Sequence, residues 1–162
     1  MAAAAVLVIA ASCIWVVLGV HAASTDVRSG IIPRRAVWAA GAVIAALLGG
    51  AALALGDLWR FVWALGAMLS VAAFFEVIYR VRPRHVGYGD VRLIIVNSLL
   101  AGWWGIAWSW WALMAGAVAA WPSALMGLRR HGRAARVRWG PSLAVGTAAV
   151  IGYCMWTFGP AG

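Results

Sequence analysis

The feature that most constrains this chain is a series of long apolar runs divided by short gaps in which nearly all of its arginines lie. The runs cover 2–20, 36–55, 59–79, 91 to about 103, 106 to about 125, and 141–158. Most have the ~20-residue length that an α-helix needs to cross a bilayer. A hydrocarbon layer offers no water to an unpaired backbone, so such runs fold as helices whose peptide groups are satisfied within each segment. The expectation is an all-α polytopic membrane protein with about six transmembrane helices, forming a single domain over 1–162. The 65% hydrophobic content and mean hydropathy of +0.93 exclude an ordinary water-soluble domain.

The net charge of +9 would point to nucleic acid in a soluble protein. Here every basic residue is arginine, and short Arg-rich loops stay in the cytoplasm. Alternating the runs puts loops 21–35, 80–90 and 126–140 on one side together with Arg92, and leaves Arg60 on the other. Both termini are therefore expected outside the cytoplasm, the arginines are expected to meet anionic lipid head groups, and no nucleic-acid partner is expected. Cys13 and Cys154 lie inside apolar runs without Cys-x-x-Cys spacing, and His21, His85 and His131 are scattered. No metal and no cofactor is predicted. The first run lacks the basic start of a signal peptide and is read as a span.

Acidic residues are scarce: Asp26, Asp57, Glu76 and Asp90. Asp90 closes Gly87-Tyr88-Gly89-Asp90, directly before an apolar run, where an ionisable group is costly unless it has a use. Asp26 falls on the same side of the membrane. Asp57 falls on the opposite side, and Glu76 stands one helical turn before Arg80, the spacing of a neutralising i,i+4 pair. The plainer reading of Asp90 is the N-cap of the fourth helix, and of Asp26 a member of an ordinary polar loop. With 19 glycines in the chain, chance alone places Gly-x-Gly before one of three Asp with a probability of roughly 0.04, so that motif by itself does not decide.

Its company adds to it. Asp26-Val-Arg-Ser-Gly-Ile-Ile-Pro33 resembles the first motif of the type IV prepilin peptidases, an Asp followed seven residues on by the Pro of an Ile-Pro pair. Gly87-Tyr-Gly-Asp90-Val-Arg-Leu93 resembles their second, and Gly140-Pro141 their Gly-Pro near the start of the last helix. The resemblance covers essentially the whole chain. It implies a membrane aspartic peptidase of the prokaryotic cell membrane, with Asp26 and Asp90 as catalytic acids and Pro33, Gly87, Gly89, Gly140 and Pro141 shaping the site. The implied partner is a pilin-like precursor with a short basic leader and an apolar helix, cut at the cytoplasmic face. Arg34 stands where the family usually has Asn, and nothing matches the paired cysteines of longer members, so cleavage without N-methylation is expected.

Two carboxylates sharing a site supply one ionised and one protonated group, because like charges a few ångströms apart resist joint ionisation. Glycines at 87 and 89 would let the backbone before Asp90 unwind toward an extended substrate. Two alternatives stand beside this reading. One is a non-catalytic assembly or transport component whose acids are caps or ion partners. The other is a Gly-x-Gly-Asp protease acting on different membrane segments.

Overall fold

The computed structural model describes residues 1–81, 87–131 and 139–161, apart from the side chains of 130 and 131. Arg82, Arg84 and His85 of the second polar gap, and Arg133, Arg136 and Arg138 of the third, lie outside the described residues. The described chain is helical, without strands: α1 (Ala2–Ser29), α2 (Arg34–Leu55), α3 (Leu58–Val81), α4 (Tyr88–Ala101), a short 3-10 turn over Gly102–Trp104, α5 (Ile106–His131) and α6 (Gly140–Phe158). Five of these helices are long and apolar enough to cross a membrane, which makes this a multi-pass membrane protein. The exception is α4. Its 14 residues extend about 21 Å, short of the ~30 Å hydrocarbon layer.

What α4 lacks in length it makes up in enclosure. It touches each of the other five helices, and its residues from Leu93 to Ala101 are buried apart from Ile95. A helix that is apolar on all sides is stable where other helices surround it, and α4 is the axis of the bundle rather than one of its walls. Its far end is closed tightly. A Cβ on Gly102 would fall on Ala67 of α3, while Trp103 and Trp104 donate their indole N–H groups to the carbonyls of Pro160 and Gly159 at 3.2 and 3.0 Å.

The first polar gap differs from expectation. Its polar residues imply loop from 21 onward, yet α1 continues to Ser29. Ser24 and Thr25 each donate to the His21 carbonyl, at 2.8 and 3.0 Å, and Ser29 donates to the Thr25 carbonyl at 2.8 Å. Hydroxyls that bond back into the preceding turn make a polar stretch compatible with helix. Gly30 ends it in the left-handed conformation, φ 67°, with its N–H on the Asp26 carbonyl. Pro33 then stands at the N-cap of α2, where a missing N–H costs nothing.

Without a hydrophobic drive between helices in lipid, close backbone approach at small residues supplies much of the packing. The tightest case is α5 against α6, where a Cβ on Gly146 would fall on the backbone of Gly116, whereas one on Gly152 would meet nothing. Gly146→Ala is expected to destabilise the purified protein by about 1–3 kcal/mol through overpacking. Gly152→Ala should leave the thermal midpoint in detergent unchanged or slightly raised.

Candidate active site

Asp26 occupies the last turn of α1, and its side chain is only 7% exposed. A buried carboxylate needs a partner, and this one reaches across 114 positions of sequence to α6. Its Oδ2 accepts the backbone N–H of Gly140 at 3.1 Å. Gly140 is the first residue of α6 and Pro141 the second, so one of the first free N–H groups of that helix is spent on Asp26 and the next does not exist. A Cβ at 140 would lie 2.9 Å from Asp26 Oδ2 and 3.1 Å from its Cβ. Glycine at this position is what lets α6 approach the acid.

Asp90 is in the first turn of α4, but it is not the cap. The N-cap is Gly87, with an extended backbone at φ −68° and ψ 127° and no side-chain cap bond. The carboxylate of Asp90 instead lies back over Gly87, where a Cβ would be 2.8 Å from Oδ2. Gly89 packs on Ile32 of the α1–α2 turn, where a Cβ would be 3.2 Å from the Cβ of Ile32. Neither Gly87 nor Gly89 has a positive φ, and 88 and 89 are already helical. Their physical role in this structure is clearance. Gly87 makes room for Asp90, Gly89 for Ile32, and Gly140 for Asp26.

The Gly89–Ile32 contact brings the segment after Asp26 against the segment before Asp90. Asp90 stands outside the five membrane-spanning segments, in the first turn of the short central helix. Burial, and secondly the negative charge of Asp26, push its carboxyl up from 3.8 to about 6. The guanidinium of Arg92, two residues on, lies 4.5 Å over the ring of Tyr88, whose own neighbour is Tyr79 at 5.3 Å.

The other two acids are employed elsewhere. Asp57 accepts the N–H of Trp59 at 3.2 Å, as an N-cap of α3 does, and pairs with Arg60 at 3.1 Å. Glu76 pairs with Arg80 at 2.9 Å along α3. Among the described residues, Asp26 and Asp90 form no ion pair. A lipid-facing groove of about 360 Å³ between α1 and α2, lined by Cys13, Val17, His21 and Ala40 among others, holds neither acid.

Ile32 enters the sequence reading only as part of the Ile-Pro pair of the first motif. The packing of Gly89 on it shows that it joins the turn after Asp26 to the segment before Asp90. Asp90→Asn separates a strained acid from a cap. The folded protein raises the pKa of Asp90, so stability is greatest below the unfolded value and is lost as pH climbs through about 6. An uncharged Asn escapes that loss. With allowance for water at this partly exposed group, Asp90→Asn should melt about 2–4 °C above the parent near pH 7.5, with the gap closing toward pH 4. A capping Asp would show the reverse, a loss of about 1 kcal/mol on substitution. No family model, curated protein or solved structure matches this chain.

Proposed function

We propose that this protein is a membrane aspartic endopeptidase that removes the leader of type IV prepilin-like precursors at the cytoplasmic face, with Asp26 and Asp90 as its catalytic pair. The observation that carries the reading is the division of the four acids. Two are paired with a nearby arginine, and the two in the family-like motifs lie at one end of the bundle, where Asp26 accepts the Gly140 N–H and Gly89, beside Asp90, packs on Ile32 of the turn after Asp26.

The chemistry follows from the asymmetry of the pair. Burial keeps a proton on the Asp90 carboxyl to a higher pH than is usual for a carboxyl, so it donates a hydrogen bond to the oxygen of the scissile carbonyl. Asp26 takes a proton from a water molecule, whose oxygen attacks the carbonyl carbon. Asp90 passes its proton to the developing oxyanion, giving a neutral gem-diol. As the C–N bond breaks, the proton held by Asp26 moves to the leaving nitrogen, and one diol proton returns to Asp90. Both acids end as they began. The substrate lies extended at the scissile bond, since helical hydrogen bonds and side chains close that bond to attack. Sharing one membrane with the enzyme fixes the depth of the substrate's apolar helix, which contributes positioning.

A second reading has an observation of its own. The Gly140 N–H bond to Asp26 is what a purely structural cap between helices would make. Asp26→Asn and Asp90→Asn, co-expressed with candidate pilin-like precursors and checked for equal amounts in the membrane, tell the two apart by mass measurement of precursor N-termini. A catalytic pair requires each substitution alone to abolish cleavage, without additivity, because groups acting as one unit fail as one. Asp57→Asn should process normally. Substantial cleavage by either well-expressed Asp26 or Asp90 variant leaves the structural cap as the better account.

Orientation is tested independently. Reporter fusions after Gly30, Arg84 and Arg133 should all read as cytoplasmic, in line with the arginine bias. An outward signal from the first two would put the acids on the wrong face for leader cleavage.

A further inference from the structure

Two to three helical turns from the acids, the bundle contains a chain of hydrogen bonds that the reading above does not use. Trp15 of α1 donates its indole N–H to Asn97 Oδ1 at 2.8 Å, and Asn97 of α4 donates its amide to Thr147 Oγ1 of α6 at 3.0 Å. All three side chains are buried, at 3, 4 and 1% exposed. The helices joined are the three that carry Asp26, Asp90 and Gly140. Asn97 follows Asp90 by seven residues, Thr147 follows Gly140 by seven, and Asp26 follows Trp15 by eleven. At 3.6 residues per turn these are close to two, two and three whole turns, so each network residue shares a helix face with the site residue of its own helix.

The need for such a link is visible in the packing. α1 packs broadly on α2 and α6, and α4 on α3, α5 and α2, but α1 and α4 meet only briefly. The helices bearing the two acids are thus poorly held to each other by apolar contact. A directional bond is different. In an apolar interior a buried amide without partners is costly, so Asn97 holds its helix at the one height and rotation that satisfies both neighbours.

We infer that Trp15, Asn97 and Thr147 are positioning residues, a hydrogen-bonded crossbar that sets the spacing of Asp26 and Asp90 and so the rate of the proposed hydrolysis. The inference rests on the catalytic reading for its effect on rate, but not for its effect on spacing. The two are tested by separate readouts on the full-length protein in detergent or lipid discs.

Thr147→Val keeps the shape of the side chain and removes the acceptor, Thr147→Ser keeps the acceptor, and Trp15→Phe removes the donor at the other end. The first readout needs no substrate. The pH midpoint at which Asp90→Asn begins to out-stabilise its parent is measured in each background. With the crossbar cut, the charge of Asp26 withdraws from Asp90 and the midpoint should fall by about 0.5 or more in Thr147→Val and Trp15→Phe, while Thr147→Ser keeps it. The second readout is turnover of a pilin-like precursor. There kcat should fall about 10-fold to 100-fold in the same two variants with KM little changed, and stay near parental in Thr147→Ser.

A merely stabilising network would lower the melting temperature of the variants without moving the midpoint, and would lower activity only through the folded fraction. Either result in a folded Thr147→Val or Trp15→Phe protein overturns the inference. If Thr147→Val does not fold, Trp15→Phe carries both readouts alone. A moved midpoint in a protein whose Asp26→Asn form still cleaves upholds the crossbar and discards the protease reading. Inactive Asp variants beside fully active crossbar variants do the opposite.

Discussion

One buried contact organises one end of the bundle: the carboxylate of Asp26 against the backbone N–H of Gly140. An acid in the last turn of the first helix is taken out of water, and the helix that receives it is the last in the chain. Much else follows from keeping that acid satisfied. Position 140 must be glycine for α6 to come near enough, and Pro141 leaves no second N–H beside the first. Asp90 is brought to the same end by the packing of Gly89 on Ile32, and burial there, with the negative charge of Asp26 second, pushes its carboxyl up to about 6. The two carboxylates are chemically identical and physically unlike. One accepts a backbone hydrogen bond. The other, partly buried, has no hydrogen bond among the described residues, and burial raises its carboxyl above the ordinary value.

The outline of the fold was readable because lipid allows so few solutions. Apolar runs of about 20 residues with arginines between them leave little but a helical bundle, and the runs ending at Leu55 and Phe158 coincide with observed helix ends. Local polarity is the misleading signal. His21 to Ser29 looks like a connection, but its hydroxyls bond to their own helix, and a hydropathy pattern carries no record of where a hydroxyl points. The enclosure of α4 was equally hidden. Its run was visibly short, but that a short helix should be the one the others wrap depends on contacts with all of them.

The candidate site was legible in its residues more than in their roles. The scarcity of acids singled out Asp26 and Asp90, and the i,i+4 spacing identified Glu76 as a partner for Arg80, which is the pairing observed. The glycines have a second property that the sequence does not display. Flexibility is what a glycine offers in a sequence, whereas a missing Cβ is what it offers in a packed structure. Gly87, Gly89 and Gly140 are used for the second, at contacts that span 57 and 114 residues of chain in the latter two cases. The Trp15, Asn97 and Thr147 chain could not be foreseen, since a lone Asn in an apolar run gives no sign of which helices will flank it.

The short length of α4 has a consequence for biosynthesis. A segment too short to cross the bilayer by itself is a poor candidate for settling in lipid as it emerges from the ribosome. Its stable place exists once α5 and α6 have closed around it. The same late helix supplies the N–H that Asp26 requires. A chain that has reached Asp90 but not Gly140 therefore contains both acids without the N–H that Asp26 accepts.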